Sequence, residues 1–287
     1  MDVVMGLVAA LCWGITDYLV GMNARTFGVK YSVFFSQLIG FLILSGFVLM
    51  AENGFLFIFG LAFEVLFVCV AAAILTLLGA ISLTRAFSHG RIAIVAPLVT
   101  SYGIFTTLLA WLSGEVLSAF QIFGLGVCAF GVMLIGLGHR SYGFGNKSRE
   151  GGAISFALMA AVFYGSSFWV QGNYALPAIG AVNMLWLSYL VGALFLLPLM
   201  SDIHINKRIG LRSYGALGSA SLFNLGGFTA FSYGALGGSV AIVTVISTLS
   251  GGVAAILGYV FYRERLTVLQ LVGISLVLAG AVVLHLV

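Results

Sequence analysis

Residues 3 to 22, VVMGLVAALCWGITDYLVGM, form one apolar run with a single carboxylate, Asp17, set inside it. A helix of about 20 apolar residues crosses the ~30 Å hydrocarbon core of a bilayer, so the run predicts a membrane span. An acid at that depth costs roughly 2.5 to 3.5 kcal/mol on insertion scales, and such residues turn toward a protein interior or a watery cavity. Asp17 therefore asks for a cavity that the rest of the chain must build.

The rest of the chain is of the same kind. Of 287 residues, 62% are hydrophobic and only 7% charged, whereas soluble domains carry about 25% charged residues. The connections between apolar runs are too short to fold independently, so the reading is one membrane domain and no soluble one. The first run exceeds a signal-peptide core and lacks a basic segment before it, which predicts a retained first helix. Cys12, Cys69 and Cys128 all fall inside apolar runs with no CxxC spacing, and are expected as buried thiols rather than disulfides or metal ligands.

Apolar windows bounded by charge or glycine give ten spans, near 3–22, 32–51, 64–84, 92–112, 117–137, 153–172, 180–200, 215–236, 240–261 and 267–286. The segment Gly54 to Phe63 is itself apolar, and reads either as the start of a longer, tilted third helix or as a short interfacial piece. Arg25 and Lys30 follow span one, Arg85 and Arg91 span three, and Arg140, Lys147 and Arg149 span five. Lys207, Arg208 and Arg212 follow span seven, and Arg263 and Arg265 span nine, which accounts for all twelve Lys and Arg. By the positive-inside rule the odd loops are expected in the cytoplasm and both termini outside. Basic residues dispersed in this way fit topology and lipid headgroups better than a nucleic-acid partner.

The spans repeat. Trp13-Gly14 is echoed by Tyr164-Gly165, and Ala93-Ile94-Val95 by Ala241-Ile242-Val243. Glu115, Gln121, Gly124 and Gly131 are echoed by Glu264, Gln270, Gly273 and Gly280, and the three offsets are 151, 148 and 149. A five-helix unit is written twice, and because five is odd the second copy enters the membrane from the other side. The basic loops agree, following helices one and three of the first copy but two and four of the second. Inverted repeats of this kind are typical of secondary transporters, whose site lies near the midplane where the repeats meet.

The stretches ALCWGITDYLVG (10–21), SLTRAFSHGRIAIVAPL (82–98), GEVLSAFQIFGLGVCAFGVMLI (114–135) and ERLTVLQLVGISLVLAGAVVL (264–284) resemble the drug/metabolite transporter superfamily, and within it the EamA family. The likeness covers nearly the whole chain and rests on order and duplication more than on any one motif. It implies an all-α integral membrane fold of ten helices in two inverted EamA repeats, 1–141 and 153–287, joined by a cytoplasmic connection at 142–152. The function it implies is secondary active transport of small polar organic solutes, amino acids or other metabolites, with export favoured. The alternatives are solute uptake and flipping of a lipid-linked headgroup. The second copy departs from the first at two places, with Val245 where Pro97 stands and Phe168 where Asp17 stands.

Candidate solute contacts follow from depth. Trp13, Tyr102, Tyr164, Tyr189, Asn224 and Ser250 fall near mid-helix, where Trp and Tyr are less expected than at the headgroup level. Trp186, Asn183 and Thr248 lie within a turn or two of that depth. Each has a packing alternative, its hydroxyl or amide bonded to a neighbouring carbonyl. Asp17 is the candidate ion-coupling residue, exchanging a proton for a cationic or zwitterionic solute; its alternatives are hydrogen bonds from neighbouring helices or a pair with Arg85. Pro97 removes a backbone hydrogen bond, and reads as a hinge or as a tolerated kink.

Other features point to no chemistry. The run Gly124 to Ala129 fits a relaxed dinucleotide fingerprint but follows no strand. Asn146-Lys-Ser148 is a glycosylation sequon on the side expected to be cytoplasmic. His89, His139, His204 and His285 are scattered, and no nucleophile elbow or phosphate loop occurs. No metal, cofactor or enzymatic activity is expected, and glycine-rich faces leave a homodimer open.

Overall fold

A computed structural model of the chain describes residues 2–50, 54–114, 116, 118–140, 147–200, 210–237, 240–264 and 266–283. The order is α1 (Asp2–Thr26), α2 (Val29–Met50), a 3₁₀ turn (Gly54–Gly60), α3 (Phe63–His89), α4 (Ile92–Val99), α5 (Tyr102–Leu112) and α6 (Ala119–Arg140). Then come α7 (Lys147–Val170), a π turn (Gln171–Ala175), α8 (Leu176–Leu196) and a second 3₁₀ turn (Leu197–Met200). The chain ends with α9 (Leu211–Gly237), α10 (Val240–Thr248), α11 (Ser250–Tyr262) and α12 (Val268–Val283). With α4 and α5 counted as one rod, and α10 and α11 as another, these are ten spans within a few residues of the sequence windows, and no strand occurs among the described residues. Lys207, Arg208, Arg265, Glu115, His204, His285 and the sequon residue Asn146 lie outside the described residues.

Hydropathy decides which faces point outward. Leu42, Phe47, Phe123 and Ile256 are each at least 60% exposed, as an apolar surface facing lipid should be. Inside, lipid offers helices no hydrophobic reason to associate, so close approach depends on small residues. α6 and α12 cross where Gly131 meets the backbone of Gly273 and Val277, and Gly280 meets that of Gly124 and Cys128. The Cys128 thiol donates to the Val277 carbonyl across the same crossing, at 3.2 Å.

These contacts are related by symmetry. Gly131 and Gly280 are equivalent in the two copies, as are Gly124 and Gly273, and the contacts of one become those of the other when the copies are exchanged. The same holds further out. A Cβ placed on Gly14 would lie 2.5 Å from the Val253 Cβ and 3.1 Å from the Ser250 carbonyl; on Gly165 it would lie 2.7 Å from the Phe105 Cβ and 2.5 Å from the Tyr102 carbonyl. Val253 answers to Phe105 and Ser250 to Tyr102 at the offset of 148. The copies are thus related by a pseudo-twofold axis, with α2 against α8, α4 against α11 and α6 against α12.

Three local features differ from a plain ten-rod reading. Gly54–Gly60 is a separate 3₁₀ turn and not an extension of the third helix. Gly180 turns the chain within α8 at φ 76° and ψ 169°, a conformation that side chains with a Cβ avoid. Spans four and nine each break near mid-membrane, at Thr100–Ser101 and at Leu249. The Thr100 hydroxyl donates to the Pro97 carbonyl and the Ser101 hydroxyl to that of Leu98, at 2.8 and 2.7 Å. Ser247 does the same to Thr244 at 2.7 Å. Hydroxyls bonded back three residues compete with the helical ladder. Because span nine breaks without a proline, Pro97 alone does not account for the break in span four.

Candidate functional site

The broken rods and the α1/α7 pair meet around a central cavity with about 80 Å³ open to the centres of water molecules. At roughly 10 to 15 Å³ per water centre, that is room for several waters or a small solute. Its wall comes from both copies: Trp13, Thr16, Asp17 and Asn23 from α1, Ser32, Ser36 and Gln37 from α2, and Thr84 from α3. It also includes Thr100 and Tyr102 at the break, Tyr164 and Phe168 from α7, Ser221, Asn224 and Phe228 from α9, and Ser250, with small and aliphatic side chains between them.

Asp17 is only 8% exposed. Among the described residues no hydrogen bond or ion pair reaches its carboxylate. The proposed partner Arg85 instead lies at the surface, its guanidinium over the Phe156 ring at 5.7 Å. Tyr102 and Tyr164 line the same cavity as Asp17, and the Tyr102 hydroxyl is bonded to that of Ser247 at 2.8 Å.

An aromatic cluster closes one end. Trp13 stacks on Phe168 at 5.6 Å and 23° and meets Phe228 edge-on at 5.1 Å. Phe231 fills behind Trp13 at 5.8 Å, and Phe168 stacks in turn on Tyr164 at 5.9 Å and 12°. Trp13 and Tyr164 are equivalent in the two copies, so Phe168 sits between a symmetry-related pair while Asp17, its own counterpart, is left facing the space. From Trp13 the cavity runs past Asp17 to Asn23, Ser32 and Thr84, toward the ends of helices that bear Arg25, Lys30 and Arg85.

That basic end is tied across the copies. The buried Glu264 carboxylate accepts the backbone N–H groups of Ile92 and Ala93 at 3.0 and 2.8 Å, occupying the N-terminus of α4, where orphan donors and the helix dipole favour an anion. Arg25 lies 3.8 Å from Glu264 and donates to the Gly90 carbonyl at 2.8 Å, with its guanidinium over Tyr262. Spans one, three, four and nine are joined at this point.

The structure gathers Trp13, Asp17, Tyr102, Tyr164, Asn224 and Ser250 on the main wall. Tyr189 lines a smaller cavity of about 30 Å³ that shares Gln37, Tyr164 and Asn224 with the first, and its hydroxyl accepts from the Asn224 amide at 3.3 Å. Beside it, Gln171 donates to Ser167 and Thr76 at 2.8 and 3.1 Å. Trp186, Thr248 and Asn183 are not on either wall. Trp186 packs with Phe41, Phe55 and Phe57 and donates to the Ser45 hydroxyl at 2.9 Å; Asn183 bonds back to the Ile179 carbonyl; Thr248 is fully buried at the end of α10. Pro97 is buried inside α4, against Gly251.

Choosing residues by mid-helix depth missed the polar residues nearer the basic end: Asn23, Ser32, Ser36, Gln37, Thr84 and Ser221. A usable signal was present in the spacing. Ser32 and Ser36 lie four apart, and Leu217, Ser221, Asn224 and Phe228 follow at steps of four, three and four, the one-face pattern of a helix.

Among the described residues no three His, Cys, Asp or Glu side chains stand together as metal ligands. None of the curated proteins compared with this chain matches it. A crystal structure of another protein, 16% identical in sequence, superposes with a TM-score of 0.64 over 99% of this chain and 97% of its own, a likeness of fold. The sequence model of the EamA-like transporter family matches residues 1–137 and again residues 151–286. With two copies of that unit packed about a pseudo-twofold axis and a cavity between them, this chain belongs to the EamA-like transporter family.

Proposed function

We propose that this multi-pass membrane transporter of small solutes is a secondary carrier working by alternating access, and that its main cavity is the solute site. The observation that carries the reading is the wall itself: a buried, unpartnered carboxylate, Asp17, faces a space large enough for water and lined from both repeats. An intramembrane acid retained without a structural partner marks a pathway more often than a scaffold. Trp13, Tyr102, Tyr164, Asn224 and Ser250 contact the solute beside it, and Tyr189 orients Asn224.

In this reading repeat 1–141 and repeat 153–287 rock about the axis, with 142–152 as their connection. The mechanism needs only different affinities of the two open states for solute and ion. With the basic loops in the cytoplasm and the termini outside, the cavity faces the cytoplasm in this conformation and the aromatic cluster is the closed outer side, which favours export. The breaks at Thr100–Ser101 and Leu249 supply matched hinges, with Pro97 loosening the first. Asp17 couples transport to protons by releasing one when solute arrives.

The test is a panel of radiolabelled polar solutes offered to proteoliposomes with and without an imposed pH gradient. Saturable, gradient-stimulated flux is expected, with its response to the gradient lost in Asp17→Asn. Flux with an unchanged pH profile in that variant would remove the coupling role of Asp17, and no flux of any solute would count against the carrier.

A further inference from the structure

We infer, resting on the carrier reading above, that the solute taken by this cavity bears an organic ammonium group and no carboxylate. The first ground is charge. The wall holds one carboxylate, and its described residues include no Lys, Arg or His. Of the basic side chains near its basic end, Arg25 is committed to Glu264 and the Gly90 carbonyl and Arg85 to the Phe156 face, while Lys30 is exposed and off the wall. With Asp17 ionised, a monocation leaves the cavity neutral. A zwitterion restores the unbalanced charge with its own carboxylate, and an anion doubles it, in a space where buried charge is costly unless paired.

The second ground is the hydrogen-bonding inventory. Asn23 and Ser32 line the same cavity, and their buried Oδ1 and Oγ atoms have no partner among the described residues. Both residues are at least nine-tenths buried. Asn23 Oδ1 is an acceptor only, and the carboxylate of Asp17, six residues earlier on the same helix, is another. Ser32 Oγ can donate as well as accept, and Trp13 Nε1 is an unmatched donor; a neutral oxygen or a water suits both. A site with unanswered acceptors calls for N–H groups, which an ammonium brings and a carboxylate does not. Third, the rings of Trp13, Tyr164, Phe168 and Phe228 surround the carboxylate's end of the space. Aromatic faces attract cations, most strongly where water is excluded.

The experiment compares solutes of one skeleton and different charge. Purified full-length protein is titrated calorimetrically with phenethylammonium, phenylalanine, phenylacetate and phenethyl alcohol. The pair isopentylammonium and leucine repeats the comparison on an aliphatic skeleton. Each amine is expected to bind at least tenfold more tightly than its amino acid, with no detectable binding of phenylacetate. In Asp17→Asn the amine should weaken by at least about thirtyfold, the scale for removing one member of a buried charge pair. Asp17→Glu should retain most of the affinity, and both variants should melt with the parent, which separates loss of the site from loss of the fold.

Amino acid binding as tight as amine binding, no amine binding at all, or an amine affinity unmoved by Asp17→Asn overturns the inference. The same solutes in proteoliposomes separate it from the carrier reading. Asp17-dependent amine binding without flux would sustain the ammonium site and refute the carrier. Flux of a zwitterion or neutral solute independent of Asp17 would sustain the carrier and refute the ammonium site.

Discussion

Gly131 and Gly280 test whether the two copies are related as their contacts indicate. A Cβ added at Gly131 would fall 2.7 Å from the Gly273 carbonyl oxygen and 2.8 Å from the Val277 nitrogen; at Gly280 it would fall 2.9 Å from the Gly124 carbonyl oxygen and 2.7 Å from the Cys128 nitrogen. Comfortable carbon contacts begin near ~3.5 Å. The obstructing atoms are backbone, so no rotamer change relieves the clash and α6 and α12 must move apart by roughly half an ångström or more. Overpacking of this kind costs about 1 to 3 kcal/mol. Alanine recovers up to about 1 kcal/mol of helix propensity, so the internal control is Gly126 on the same helix, where an added Cβ meets nothing within 4 Å. Gly126→Ala should be neutral or slightly stabilising. Gly131→Ala and Gly280→Ala should each fall about 1 to 3 kcal/mol below it, and by similar amounts, because the axis makes their surroundings equivalent. The assay is thermal unfolding of each purified variant in one detergent, followed by intrinsic fluorescence. If Gly131→Ala melts with Gly126→Ala, or if only one of the pair is destabilised, the glycine crossing on the pseudo-twofold axis is refuted.

Other outcomes follow from the site and its tie. Glu264→Ala leaves the Ile92 and Ala93 N–H groups without their acceptor and should cost about 0.5 to 2 kcal/mol, the range for a lost N-terminal cap; Glu264→Gln, which keeps an acceptor oxygen, should cost less, and equal melting of the two would argue against the capping role. Asp17→Asn cannot exchange a proton, so solute flux should lose its response to an imposed pH gradient while the protein still reconstitutes; a gradient response equal to the parent's would end that assignment. Gly227→Ala places a methyl group against the Trp13 indole and should push the ring toward the cavity, raising KM for the transported solute severalfold with little change in melting temperature. An unchanged KM would place Trp13 outside the binding site.

Much of this arrangement is legible in the sequence. The ten spans, the duplication and the opposed charge pattern are written in periodicity and composition, because a bilayer imposes length and hydropathy on each segment independently of its neighbours. Asp17 announced a cavity for the same reason: a lone acid in an apolar run has few affordable destinations. Depth along each helix also selected Trp13, Tyr102, Tyr164, Asn224 and Ser250, which the structure brings to one wall. The polar face of α2 was written at helical spacing, yet it faces the cavity only because α2 packs against α8 and α9.

Direction around the helix axis is what the linear chain leaves open. Trp186 lies at a suitable depth but turns toward Phe41 and Phe55, since packing against a neighbour's side chains, which hydropathy does not encode, sets rotation. The break of span nine without a proline belongs to the same class, arising from hydroxyls that turn back on their own helix. The sequence alone determined that two oppositely inserted copies exist and that one acid must be sheltered between them, because the membrane constrains every segment by itself. Only the tertiary structure decided which residues share the shelter, that Asp17 has no partner there among the described residues, and that Glu264 of one copy caps a helix of the other, because those outcomes depend on contacts between segments far apart in the chain.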